Sequence, residues 1–215
     1  GDVYKRQLNE RGIKLIITVD NGIAAAQEVA YASSLGIDTV VTDHHMPSGE
    51  LPKACAVVDL HREDCKSRFK NLSGVGVAFK LIMALEGEYC DTTTLLDNYS
   101  DLLSIGTIGD VVELKDENRV FVKHGLESIT NTDRPGLQAL IKNSGLTGKN
   151  VSSTNVSFTI VPRINAVGRL GLSEKSVSLL LTEDYDEAAE IDGASSLRIY
   201  ASIAMPMSRS AIVLS

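Results

Sequence analysis

Strand, helix, strand in immediate succession is the pattern that most restricts how this chain can fold. Leu15-Ile16-Ile17-Thr18-Val19 and Asp38-Thr39-Val40-Val41-Thr42 are short runs dominated by aliphatic and β-branched residues, and Ala56-Val57-Val58 is a third. Between the first two, residues 24–35 carry Ala25, Val29 and Ala32 on one helical face, and Gly36 stands where a helix would end. Short β-branched strands joined through a helix belong to a parallel sheet covered on both sides. The predicted fold class is α/β, a parallel sheet with helices on both faces. Ligands of such open sheets bind beyond the carboxyl ends of the strands.

That edge is where the acids fall. The first run closes on Asp20-Asn21-Gly22, the second on Asp43-His44-His45 and the third on Asp59. Side chains alternate along a strand, so packing gives no reason for one carboxylate and two imidazoles in a row. Carboxylate and imidazole suit Mn, Mg or Zn, and no cysteine adjoins them to suggest a structural zinc site. Plainer readings stand beside this one: Asp20 could cap the helix that follows, and the histidine pair could be a solvated loop. Asp110, within Gly106-Thr107-Ile108-Gly109-Asp110-Val111-Val112, reads as a further buried-type acid.

Elsewhere the pattern is mainly helical. Residues 73–85 form a helix with Ser73 as N-cap and Val77, Leu81, Ile82 and Leu85 as its stripe. Residues 95–105, 118–130, 136–142 and 173–181 read as further helices, 156–160 as a short strand, and Asp184 with Glu187 as a capping box. Phe79, Tyr99 and Phe158 are expected in the core, and Lys80 in solvent. No helical or strand period is visible over residues 1–7, and the pattern dissolves from about Gly193 to Ser215, so the sequence reads as a partial chain. Net charge is −7, which excludes a wholly basic nucleic-acid binder while allowing a local basic groove. No apolar run approaches the roughly 20 residues of a membrane span. Cys55, Cys65 and Cys90 are odd in number and lack C-x-x-C spacing, which fits a reducing cytoplasm.

Five segments in order resemble motifs of the DHH phosphoesterases: Thr18-Val19-Asp20-Asn21-Gly22-Ile23, Asp43-His44-His45, the segment around Asp110, Leu72-Ser73-Gly74-Val75-Gly76-Val77-Ala78-Phe79-Lys80-Leu81, and Arg163-Ile164-Asn165-Ala166-Val167-Gly168-Arg169. The last two narrow the likeness to the bacterial single-stranded-DNA-specific exonucleases. The resemblance implies a two-metal phosphodiesterase using Mn2+ or Mg2+. In it Asp20, His44 and Asp110 are metal ligands, His45 faces the scissile phosphate, and Asp43 fixes an imidazole from behind. Arg163, Asn165 and Arg169 would hold the DNA backbone, the alternative being a turn pinned by their side chains. Residues 8–181 would be a partial DHH catalytic domain and 182–215 the start of an interdomain helix with a divergent tail.

The sequence also departs from the family. The Asp-x-Asp of the first motif and the carboxyl-terminal domain are expected outside it, which implies weak metal binding and no activity by itself. Asp59-Leu60-His61 stands where the family has Asn-Pro, so neither Asp59 nor His61 is assigned to the metals. The implied function is 5′-to-3′ exonuclease action on single-stranded DNA in repair and recombination. A single-strand-binding protein or helicase would be the partner class, the cytoplasm the location, and no membrane is involved. The rivals are a DHH phosphoesterase acting on oligonucleotides, cyclic dinucleotides or pyrophosphate, and an inactive DNA- or partner-binding scaffold.

Overall fold

Three parallel strands, β1 (Leu15–Val19), β2 (Asp38–Thr42) and β3 (Ala56–Val58), lie side by side in that order. The computed structural model describes residues 2–169, 173–185 and 188, excepting the side chains of 2–5, 167–169 and 173. Leu15 pairs with Asp38 and Val19 with Thr42, while Thr42 pairs with Val58. That register brings the exits of all three strands to one edge.

Helix α1 (Asp2–Glu10) precedes the sheet, where the sequence shows no period. It is ended by Gly12 at φ 75°, with Ile13 N–H donating to Leu8 O at 3.1 Å and Gly12 N–H to Asn9 O at 2.9 Å. This six-to-one and five-to-two pairing satisfies the last carbonyls, and a residue without Cβ adopts it at least cost. Arg6 reaches across to the Tyr31 hydroxyl at 2.8 Å. Tyr31 lies on α2 (Ala26–Ser34), whose Val29 and Ala32 are buried.

Cover on the sheet is uneven. Val41 and Thr42 are fully buried, whereas Leu15, Ile17 and Val19 are each about half-exposed, so one face of β1 is open. The alternation along β1 follows the two-residue period of a strand.

The described residues up to Val122 form one compact unit and those from Lys123 onward a second. In the first, α3 (Gly74–Glu86) and α4 (Thr92–Gly109) pack together, and α5 (Asp116–Thr130) begins there. Leu72, Val77, Phe79, Leu95, Leu103 and Phe121 make the buried cluster. Phe79 and Phe121 meet edge to face at 5.5 Å between centroids. Tyr99 packs against this cluster half-buried. Lys80 pairs with Glu117 rather than standing alone in solvent.

The second unit contains α6 (Pro135–Asn143), α7 (Ser153–Asn155), α8 (Val161–Arg169) and α9 (Ser173–Leu181). Between α7 and α8, residues Val156–Ile160 are a π-helical stretch, not the expected strand. Ser152 and Asn155 cap each other reciprocally and start helical structure just before it. Val156 and Ile160, four apart, are fully buried while Phe158 is 78% exposed, a helical pattern. A strand would have put all three on one face, and Phe158 is accordingly not a core residue. The expected capping box at Asp184 includes Glu187, and that residue, like the tail from Gly193, lies outside the described residues.

Candidate metal centre

Asp20 follows β1 directly and takes a left-handed backbone conformation, φ 63°. It caps no helix: α2 begins at an Ala25 N-cap with no side-chain bond. Asp43 follows β2 and is buried. Its Oδ2 accepts from Ile23 N–H at 2.9 Å, and its Oδ1 accepts from His44 N–H at 2.8 Å and His45 N–H at 3.3 Å. The same Oδ1 lies 2.7 Å from His45 Nδ1. Burial pushes the Asp43 carboxyl up, but the bonds from Ile23, His45 and His44 outweigh it and leave the group below its ordinary value. Asp43 therefore acts as an ionised hub that fixes the turn and the His45 ring.

The His44 ring is set from the other side. Its Nδ1 lies 3.1 Å from the Leu72 carbonyl, which can only accept, so Nδ1 carries the proton. Nε2 then faces Asp20 Oδ1 at 3.0 Å and Asp110 Oδ2 at 3.4 Å. It is buried, and no hydrogen bond satisfies it. A nitrogen lone pair and two carboxylate oxygens repel one another unless a proton or a cation lies among them. The donor set, one imidazole and two carboxylates, suits a hard divalent cation.

Asp110 is the C-cap of α4, and its carboxylate is partly exposed rather than buried. Asp20 is also open to solvent on one side. The burial it does have lifts its carboxyl above the ordinary value; His44 opposes this lift and Asp110 adds to it. His45 is exposed, and its Asp43 bond leaves Nε2 as the free ring nitrogen. Donor atoms of Asp20, His44 and His45 all lie within 4.8 Å of one another. Asp20, His44, Asp110 and His45 thus converge, with Asp43 behind them. Asp59 is buried at the end of β3; its Oδ1 accepts from His61 N–H at 2.7 Å and its Oδ2 has no partner.

Arg163, Asn165 and Arg169 lie on α8 in the second unit. Arg163 Nη2 donates to Asn143 O at 3.3 Å, and Asn165 is exposed. The Arg169 side chain lies outside the described residues. Sequence reasoning missed the Leu72 carbonyl, which no residue type could have signalled. The glycines of Ser73-Gly74-Val75-Gly76 signal close packing at the helix start, but the sequence does not say that Asp20 is the residue that packs against Gly74.

Residues 2–107 match the DHH family, N-terminal domain. The single-stranded-DNA-specific exonuclease RecJ of Bacillus subtilis is 48% identical over 186 residues, which cover 86% of this chain and 23% of that protein. A crystal structure of RecJ from Thermus thermophilus in complex with Mn2+ superposes with a TM-score of 0.79 at 35% identity, covering 94% of this chain and 30% of the other. The corresponding Mg2+ complex gives a TM-score of 0.61 at 29% identity, covering 93% and 33%. The chain thus spans 23% to 33% of the length of these relatives. Among the described residues no helix is long and apolar enough to cross a membrane.

Proposed function

Over residues 2–107 the chain belongs to the DHH family, and from that premise we propose that it is the metal-binding part of an exonuclease that removes nucleotides from the 5′ end of single-stranded DNA. The observation that carries this reading is the convergence of His44 Nε2 with Asp20 Oδ1 and Asp110 Oδ2, at 3.0 and 3.4 Å, around a nitrogen with no hydrogen bond. The RecJ complexes with Mn2+ and Mg2+ support the choice of metal, and a two-metal site is the form proposed. The cytoplasm is the proposed location.

Two divalent cations supply charge neutralisation for a phosphodiester and make a bound water more acidic. The protein's part is placement. Asp20, His44 and Asp110 hold the cations, each presented from the end of a strand or helix, where a displacement of order 1 Å can cost about 10²-fold in rate. His45 stands outermost, and as an imidazolium its Nε2–H would donate to a phosphate oxygen while Asp43 keeps the ring turned outward. Arg163, Asn165 and Arg169 are proposed to bind the DNA backbone.

Calorimetry with Mn2+ on the full chain tests the ligands: Asp20→Ala and His44→Ala are each expected to abolish binding while the circular dichroism spectrum is retained. Unchanged affinity in either variant would remove the metal assignment. The nuclease reading is tested with the whole open reading frame that encodes this chain. Mn2+-dependent release of mononucleotides from 5′-labelled single-stranded DNA, with duplex DNA resistant, is the expected result. Hydrolysis of short oligonucleotides alone would favour the broader phosphoesterase reading.

A further inference from the structure

The three proposed ligands come from three places in the chain, and one short segment touches the support of each. Leu72 O holds the His44 ring. Ser73 caps α3 by accepting Gly76 N–H at 3.2 Å, and its Oγ bonds Thr107 Oγ1 at 3.0 Å. Ser73 and Thr107 are both fully buried, and Thr107 lies on α4 one turn before Asp110. Gly74, the next residue, is where Asp20 sits. A Cβ on Gly74 would fall 2.2 Å from Asp20 Oδ1, 2.4 Å from its Cγ and 2.5 Å from its Cβ. These are far inside van der Waals contact, and the obstructing atoms belong to a short side chain on a left-handed backbone that has little freedom to withdraw.

We infer that Gly74 is a positioning residue for the metal centre: its missing side chain is the seat of the Asp20 carboxylate, and the bonds of Leu72 and Ser73 hold that seat in register with His44 and Asp110. This rests on the metal-site reading above. A glycine at the first position of a helix is otherwise a poor choice, since alanine is the better helix former. Helix propensity alone therefore predicts that Gly74→Ala stabilises the protein, and the Asp20 contact predicts the opposite.

The test is a double-mutant cycle on the full chain, comparing Gly74→Ala, Asp20→Gly and the double variant. Melting in EDTA gives the stability of each, and calorimetry gives Mn2+ affinity for wild type and Gly74→Ala. Glycine at position 20 removes the whole side chain and suits the left-handed backbone. Gly74→Ala is expected to lower the melting temperature when Asp20 is present, to leave it unchanged or raise it in the Asp20→Gly background, and to weaken Mn2+ binding by at least tenfold. Should Gly74→Ala fail to fold, recovery of folding in the double variant carries the same result. An equal drop in melting temperature in both backgrounds overturns the proposal, as does Mn2+ affinity retained within twofold. Absence of Mn2+ binding in the wild type would instead strike the metal reading, and the melting cycle would still decide whether Gly74 seats Asp20.

Discussion

Ile23 donates its backbone N–H to Asp43 Oδ2 at 2.9 Å, a buried bond that ties the turn after β1 to the end of β2. Asp43 Oδ1 serves His44 N–H and His45 on its other side, so one carboxylate links two strand exits and the outermost imidazole. Its two oxygens face donors only. Asparagine would turn an amide toward one of those donors, and Asp43→Asn is expected to cost about 2 kcal/mol or more of stability, because hydrogen bonds to charged groups are worth about 1.5–3 kcal/mol each. Urea unfolding in EDTA measures it. The depressed carboxyl contributes stability that is present above its unfolded value of about 3.9 and is lost as pH falls through the lower folded value. The loss caused by Asp43→Asn should therefore shrink in acid; a loss independent of pH would remove the charge from this account.

The Asp43 bond also raises the His45 imidazole above its ordinary value, with burial opposing slightly and the Asp43, Asp20 and Asp110 charges adding to the rise. Its contribution to stability is fully present below about pH 6.5 and disappears as pH rises through the folded value. Titration of the ring protons by NMR in EDTA should place His45 above about 6.5, and Asp43→Asn should bring it down. A His45 resonance insensitive to that substitution would mean that another group controls the ring.

His45 also belongs to the group of donors within 4.8 Å of one another, so its role is open to a direct experiment. As the residue proposed to face the phosphate, it should leave Mn2+ affinity nearly intact when replaced by alanine while slowing hydrolysis by about 10²–10⁴-fold, the span expected for a positioned acid or base. Loss of Mn2+ binding in His45→Ala would make it a ligand instead.

The strands and their acid-bearing ends could be read in the sequence because the signals are local. β-branched runs set β1, β2 and β3, and each ends on an acid. Ser73 was visible as the α3 N-cap for the same reason. Other features depend on contacts remote in sequence. The 156–160 segment has strand-like composition, but the cap at Ser152 and the burial of Val156 with Ile160 make it helical. Asp110 sits among apolar residues, yet it ends α4 and its carboxylate is partly exposed while facing His44 Nε2. The Asp20 backbone conformation, and the fact that Asp20 is what sits against Gly74, depend on the approach of α3 to β1, which the local glycine spacing does not encode.

Asp59 gives a prediction of opposite sign to that for Asp43. Its Oδ2 is buried without a partner, and burial holds its carboxyl above the ordinary value despite the His61 N–H bond. A raised carboxyl contributes stability that is present below about pH 3.9 and is lost as pH rises through the folded value. Ionised Asp59 therefore costs stability at neutral pH. Asp59→Asn keeps the acceptor for His61 and removes the charge, while its buried NH2 takes the unpartnered place of Oδ2, so it should stabilise the metal-free chain at pH 7 only modestly, by less than about 1 kcal/mol. The gain should fade toward about pH 3, where the wild-type carboxyl is protonated. Destabilisation at pH 7 would instead show that the charge is compensated in the folded chain.

Val111, directly after Asp110, has φ 59° and is 84% exposed. A β-branched residue is costly in that left-handed region, and the position after a helix C-cap is where glycine is normally found. Packing offers little return for an exposed valine, so the strain stands beside a proposed ligand, as it does at Asp20. Val111→Gly should relieve about 1 kcal/mol of backbone strain, measurable by urea unfolding in EDTA. Glycine also admits many more conformations, and the turn that aims Asp110 at His44 Nε2 would loosen. Mn2+ affinity should then fall several-fold even as the metal-free chain becomes more stable. If affinity rises together with stability, the strained turn is not what directs Asp110 into the site.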